Sequence, residues 1–276
     1  MQQVLKRIVR ELFPAGCIKS QLMAINANGE IHQVIEEIKT VNTHLTRHSK
    51  ALEIKKLRIE KIIFHTRDLF EIYLERRDID FCPGDYVSIY TGDAATSREY
   101  SIASGINDPH LGFLIKHIPG GTVTEYLQHR KEGDSIGISL PVGSFRPGLQ
   151  HGNDDFIFIA TGTGIAPFLS YIKSYPDKPP RKLLYGVRKL EEAVGRDIFE
   201  KVCPTELAVS RENLPGIYSG HVTGLLNHLD YSPGTHFYLC GLDAMIEEIT
   251  ALLRKRGVDR DNIHHEIFFH ASAPGK

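Results

Sequence analysis

Hydrophobic spacing divides the chain into three stretches with different periods. In residues 1 to about 50, Val4, Leu5, Ile8, Val9 and Leu12 fall on one helical face, and Pro14 with Gly16 ends that run. Ile31, Val34, Ile35, Ile38, Val41 and Leu45 repeat the helical spacing after a turn over 26–29. From Leu52 to about Phe145 the period becomes two. Leu57 and Ile59, then Phe70, Ile72 and Leu74, alternate with polar neighbours. Further short strands are predicted over 86–90, 101–104, 112–118 and 135–139, with one helix over 124–130. Pro83-Gly84, Thr91-Gly92, Pro119-Gly120-Gly121 and Gly133-Asp134 separate them, and such spacing predicts a barrel or a sandwich.

From Asp155 the rhythm is strand then helix. A fully apolar strand over 156–160 leads through a glycine-rich turn into a helix that ends near Ser174. Later strands are predicted over 183–187, 206–210, 237–240 and 263–268, with a helix over 242–256. Apolar strands alternating with helices predict a parallel sheet covered on both faces. The organisation expected is a helical extension over 1–50, an antiparallel β-barrel over 51–150 and a parallel-sheet α/β domain over 151–276. The junction falls in 146–154, a polar stretch holding Pro147, Gly148 and Gly152.

Charge and composition narrow the function. Lysine plus arginine is 33 against 34 aspartate plus glutamate, a net charge of −1, which argues against a protein built to hold nucleic-acid backbone. Hydrophobic residues at 41% and charged residues at 24% exclude disorder and a collagen-like chain. No window approaches the roughly 20 apolar residues of a membrane span. The first fifteen residues, with Lys6, Arg7, Arg10 and Glu11, lack the apolar region of a signal peptide. Cys17, Cys82, Cys203 and Cys240 lie far apart, without the spacing of a zinc site, a redox dithiol or an iron–sulfur cluster. These features predict a cytoplasmic protein with no bound metal. His44 and His48 lie four apart on a helix without a third ligand, and His264 and His265 point to opposite strand faces; solvent-facing histidine is expected at each.

Four segments carry candidate chemistry. Thr161-Gly162-Thr163-Gly164-Ile165-Ala166-Pro167 follows the apolar strand and opens a helix, where main-chain N–H groups can approach a phosphate and Pro167 fits the first turn. It is neither a Walker A loop nor the usual G-x-G-x-x-G, and a tight strand–helix turn needing glycine is the plain alternative. Arg98-Glu99-Tyr100-Ser101 offers a cation, a ring and a hydroxyl on one strand; Gly120-Gly121-Thr122-Val123-Thr124 offers a second phosphate cradle. Taken alone, the first is an alternating strand and the second a turn with its cap. Ser210-Arg211 follows the third strand of the later sheet, where a hydroxyl and a guanidinium can take a ribose 2′-phosphate; this favours NADP over NAD.

The order of the segments is more specific than any one of them. Arg98-x-Tyr100-Ser101, Gly120-Gly121-x-x-Thr124, Gly143-x-Phe145, Gly162-Thr163-Gly164-Ile165-Ala166-Pro167, Tyr185-Gly186-x-Arg188, Cys240-Gly241 with Met245, and Glu266-Ile267-Phe268 together resemble the ferredoxin–NADP reductase family. The resemblance covers roughly Leu52 to Phe269. It implies a barrel that binds FAD and a sheet domain that binds NADP(H), with NAD(H) as the other option.

Residue by residue, the resemblance gives Arg98 the FAD phosphates, with Glu99 beside it. Tyr100 would pack on the isoalloxazine ring, and Ser101 would hydrogen-bond flavin N5. Leu114, Ile115 and Lys116 would offer main chain to the flavin, and Gly121, Thr122, Val123 and Thr124 would hold the pyrophosphate. Thr161, Gly162, Thr163, Gly164 and Pro167 form the nucleotide turn, with Thr163 reaching toward FAD. Gly186, Arg188, Ser210, Arg211, Gly241 and Met245 complete the dinucleotide site. Cys240 would sit near the nicotinamide, with a buried apolar cysteine as the plain reading. Glu266 would relay a proton to N5. Phe268, or Phe269, would cover the flavin; eight residues follow Phe268, where plant-type members end on that aromatic.

The resemblance implies hydride transfer to flavin N5 and onward transfer to a one-electron acceptor: ferredoxin, flavodoxin or an oxygenase component. A reductase of ferric chelates or free flavin is a second reading. A non-catalytic flavin-binding docking or regulatory subunit is a third. Residues 1–50 either pack on the barrel or serve dimerisation or partner docking.

Overall fold

The computed structural model describes residues 54–149 and 155–269. The expectations for residues 1–50 lie outside the described residues, as do the side chains of Phe268 and Phe269.

The first half is a six-stranded antiparallel sheet. Its strands are β1 (Lys55–Phe64), β2 (Leu69–Glu75), β3 (Tyr86–Tyr90), β4 (Ser97–Ser101), β5 (His110–Lys116) and β6 (Ser135–Ile138), in the order β4-β3-β6-β1-β2-β5. The sheet curls until its edges meet. Ile102, just after β4, bridges Phe113 on β5, and Ala103 N–H donates to the Gly112 carbonyl at 2.8 Å. The period-two residues Leu57, Ile59, Phe70, Ile72 and Leu74 all face the buried interior with Val87, Ile89 and Phe113. A short helix, α1 (Thr122–Gln128), lays Val123 and Leu127 on this core.

Several predicted boundaries shift, two of them at segments that carry candidate site residues. The strand expected over 101–104 ends at Ser101 and begins at Ser97, because its partner is β3, with Tyr90 opposite Ser97 and Tyr86 opposite Ser101. Three of its five residues are polar and not buried, so cross-strand pairing decides the strand rather than apolar alternation. The helix expected over 124–130 starts two residues earlier, with Gly121 as its N-cap.

The second half is a parallel six-stranded sheet. Its strands are β7 (Phe156–Thr161), β8 (Lys182–Val187), β9 (Thr205–Val209), β10 (Tyr218–Ser219), β11 (His236–Leu242) and β12 (Ile263–Phe269), in the order β10-β9-β8-β7-β11-β12. Helices α2 (Ala166–Ser174), α3 (Arg196–Glu200) and α4 (Asp243–Lys255) complete it. β7 reads as an unbroken apolar run because both its faces are covered. Phe156, Phe158 and Ala160 pack with α2, while Ile157 and Ile159 pack with Ile246, Ile249 and Leu253 of α4. The strand order reverses between β7 and β11, which opens a crevice at their carboxyl ends.

The two halves share an apolar seam. Leu69, Ala103, Leu114 and Phe145 turn from the barrel into the cluster formed by Phe158, Ile165, Phe168 and Tyr238. The Phe145 ring lies 6.0 Å from that of Phe168 and 5.9 Å from that of Tyr238. Lys173 Nζ donates to the Ala103 carbonyl at 3.1 Å, and Ile106 N–H donates to Ser174 Oγ at 3.0 Å. Replacing a buried aromatic with alanine leaves a cavity at the seam, so Phe145→Ala is expected to lower stability by about 3 kcal/mol. In urea, its unfolding is expected to separate into two transitions; a single transition within about 1 kcal/mol of wild type contradicts this role.

Candidate active site

Three segments distant in sequence converge at the crevice. Ser101 ends β4 on the barrel, Cys240 lies near the end of β11, and Glu266 stands opposite Cys240 on β12. Ser101 Oγ donates to Glu266 Oε2 at 3.1 Å, a bond joining the two sheets. All three proposed catalytic residues therefore meet.

Their electrostatics differ. Burial pushes the Glu266 carboxyl up to about 7, against the hydrogen bond from Ser101 and the Arg146 charge, while Glu99 and Asp85 push it further up. Burial, aided by Glu266, drives the Cys240 thiol well above its ordinary range, so it stays a neutral thiol. Arg146 is itself held by Asp85 Oδ1 at 2.8 Å and by the Gly143 carbonyl at 2.8 Å. Burial raises the Tyr100 phenol too, and most of its ring lies in the barrel core.

Close main-chain approach fixes the crevice floor. A Cβ on Gly164 would come within 2.3 Å of the Cys240 carbonyl oxygen. One on Gly241, whose φ is +144°, would come within 2.1 Å of Thr161 Oγ1, which instead accepts Leu242 N–H at 3.1 Å. The buried Tyr185 hydroxyl braces the turn from below, 3.0 Å from the Gly162 carbonyl. Thr163, Ile165 and Pro167 are buried, and Gly186 packs against Val222.

Around this centre the other expected residues take different positions. Leu114 and Ile115 are buried on β5, whose main chain beyond Phe113 pairs with β2 on one side. At the start of α1, Thr124 Oγ1 lies 3.0 Å from the Gly121 carbonyl and accepts Ile118 N–H at 3.2 Å. That hydroxyl shapes the turn. Val123 points into the barrel core, and Met245 lies in the apolar cluster beneath α4 with Leu225 and Ile249. Ser210 Oγ lies 3.4 Å from the Val187 carbonyl, while Arg211 N–H donates to the Arg188 carbonyl at 2.9 Å.

Arg188 and Arg211 line one groove of about 990 Å³ that also takes in Lys116, His117 and Glu192. Among the described residues neither guanidinium has an ion-pair partner, and Arg98 bonds only the Ser97 carbonyl. Uncommitted arginines on the barrel strand and along the groove fit two phosphate-bearing cofactors.

Glu192 is a structural member of the site that its sequence context does not mark. It sits in a charged run, whereas Tyr185 belongs to the Tyr185-Gly186-x-Arg188 motif and its hydroxyl bonds the Gly162 carbonyl. His264 departs from its solvent-facing expectation. It is half-buried, stacked 4.6 Å from Tyr238 and 5.2 Å from His236, and burial pulls it down to about 4. No group of three metal-binding side chains occurs among the described residues, and no described helix is long and apolar enough to cross a membrane.

Residues 55–146 match the oxidoreductase FAD-binding domain, and residues 158–251 match the oxidoreductase NAD-binding domain. The chain belongs to the ferredoxin–NADP reductase family. Its module is that of an FAD- and NAD(P)-binding oxidoreductase.

Among its relatives is the toluate 1,2-dioxygenase electron transfer component of Pseudomonas putida, 28% identical over 199 residues, 68% of this chain and 59% of that protein. Another is the ferredoxin–NAD(P)(+) reductase component of naphthalene 1,2-dioxygenase/salicylate 5-hydroxylase systems from Ralstonia, 30% identical over 70% of this chain and 62% of that protein. The chain thus spans about three fifths of the length of these curated relatives. The ferredoxin reductase of carbazole 1,9a-dioxygenase superposes with a TM-score of 0.66 at 26% identity, over 80% of this chain and 71% of that one. A Neisseria gonorrhoeae ferredoxin NADP+ reductase, solved with FAD and NADP, shares the fold with a TM-score of 0.71 at 23% identity, over 79% of this chain and 100% of that one.

The Glu266 shift has a sign that can be checked. In the unfolded chain its carboxyl titrates near 4.5 and in the folded protein near 7, so between these values the native state holds a proton that the unfolded state has released. Its contribution to stability is lost as pH rises through that window. Glu266→Gln, which cannot ionise, is expected to gain melting temperature over wild type as pH goes from about 5 to about 8, the gap being smallest at the acid end. A gap that does not change with pH contradicts the shift.

Proposed function

We propose that this chain passes electrons between NADP(H) and a one-electron acceptor protein, an oxygenase component or a ferredoxin-type carrier. The observation that carries this reading is the Ser101–Glu266 hydrogen bond between the FAD-binding and NAD-binding domains, beside the glycine turn after β7. FAD held by these domains would supply the redox chemistry, accepting two electrons as hydride from a nicotinamide and releasing them singly.

The residues of this chain do the rest. Arg98 offers the FAD phosphates a guanidinium with no competing acid among the described residues. Glu266, poised to be half-protonated near neutral pH, stores a proton at a buried carboxyl. Ser101 Oγ bonds that carboxyl and would relay its proton by accepting it from Glu266 Oε2 while giving up its own hydroxyl hydrogen to a bound flavin. Cys240, a neutral thiol at the crevice wall, excludes water and keeps the dielectric low rather than attacking anything. Arg188 and Arg211, joined through their main chains, take the dinucleotide phosphates, with Ser210 and Arg211 selecting the 2′-phosphate. The names of the oxygenase electron transfer components support an oxygenase-type acceptor.

The test is steady-state reduction of ferricyanide by the FAD-loaded protein. NADPH is expected to support turnover, and Arg211→Ala is expected to raise KM for NADPH about tenfold or more while changing KM for NADH little. Equal effects on both coenzymes contradict the assignment of Arg211, and a protein that takes up no FAD contradicts the reading as a whole.

A further inference from the structure

Glu192 stands where three parts of the site meet. It lies in the short loop after β8, and its side chain is 15% exposed. Lys116 Nζ, at the end of β5 on the barrel, donates to Glu192 Oε1 at 2.7 Å. This is the one ion pair between the two domains among the described residues. The other carboxylate oxygen, Oε2, accepts Arg188 N–H at 3.2 Å. Its main-chain carbonyl lies 3.3 Å from the Tyr185 hydroxyl, the same hydroxyl that braces the Gly162 carbonyl. The loop is pinned once more where Glu212 Oε2 accepts Leu190 N–H at 2.7 Å.

A carboxylate in a groove meant for phosphates needs a reason. On its own it repels a dianion a few ångströms away. Lys116 neutralises it, and burial, which opposes ionisation, is outweighed by Lys116 and the main-chain N–H groups of Arg188 and Lys189, so its carboxyl lies below the usual range. Of the other groove acids, Asp68 lies 4.0 Å from the same Lys116 Nζ. Glu125 meets His117 at 2.7 Å, and Glu191 lies 3.7 Å from Lys189. The Arg188 guanidinium is left uncommitted while its main chain is held.

We propose that Glu192 is a positioning residue for the dinucleotide site. One carboxylate oxygen fixes the main chain that carries Arg188, and the other ties that loop to Lys116 of the FAD-binding domain. Glu192 itself touches no phosphate; it acts through the placement of Arg188. The inference rests on the proposed binding of NADP(H) in this groove.

Two variants separate the roles. Glu192→Ala removes both contacts, whereas Glu192→Gln keeps an oxygen that can accept Arg188 N–H and loses the charge facing Lys116. The measurements are KM and kcat for NADPH with ferricyanide on the FAD-loaded full chain, and calorimetric binding of 2′,5′-ADP. Glu192→Ala is expected to raise KM and the 2′,5′-ADP Kd about tenfold with kcat within about twofold of wild type, the loss of a hydrogen bond to a charged acceptor. Glu192→Gln is expected to stay within about threefold of wild type in both. Wild-type constants in the alanine variant overturn the proposal. So does a glutamine variant as impaired as alanine, or a fall in kcat at unchanged KM. Wild-type protein that neither binds 2′,5′-ADP nor oxidises NADPH refutes instead the reading on which the proposal rests.

Discussion

Leu69, Ala103, Leu114 and Phe145 leave the barrel's side of the molecule and enter the core of the parallel sheet. That seam determines where every functional group stands. A barrel and an open sheet can each fold around its own cluster, but only a packed junction fixes the end of β4 against the ends of β11 and β12. Close-packed apolar side chains hold this relation within a fraction of an ångström, because a gap that small already forfeits much of the dispersion energy. Polar contacts then sharpen it. Lys173 and Ser174 bond main-chain groups of the barrel along one side, and Lys116 meets Glu192 on the groove side.

The seam also creates the dielectric conditions that the site needs. Ser101 and Cys240 are fully or nearly fully buried, and Glu266 is largely so. In such surroundings a carboxyl cannot keep its solution affinity for protons, and Glu266 is moved to the pH range where giving and taking a proton are balanced. The same burial has the opposite use at Cys240, which it keeps neutral. Two neighbouring side chains on adjacent strands thus acquire different roles from one environment. The arginines at the groove remain outside this buried zone, exposed and without acidic partners among the described residues. A buried centre with a shifted carboxyl and an open rim of uncommitted arginines follow from the same architecture.

Much of this is legible along the chain. β7 announces itself as an apolar run because it is covered on both faces, and the glycine turn after it follows from the need for close approach. Arg98, Tyr100 and Ser101 mark the barrel strand by their order relative to the later motifs. Other features depend on contacts that no local pattern encodes. Ser101 and Glu266 are separated by 165 residues; the family motifs place both near one flavin atom, but their direct bond appears only in the fold. Glu192 resembles any solvated acid until Lys116 arrives from the other domain. Met245 matches a family motif, yet its side chain falls on the core face of an amphipathic helix. His264 lies on a strand that reads as exposed, and only the neighbouring rings of Tyr238 and His236 reveal its burial.

The most direct test is the visible absorption spectrum of the FAD-loaded protein, recorded without oxygen before and after one equivalent of NADPH. If the two domains bring their cofactors together at the Ser101–Glu266 contact, the oxidised flavin band bleaches rapidly, and more slowly in Glu266→Gln. A flavin band that persists in the wild-type protein after NADPH has demonstrably bound contradicts the account.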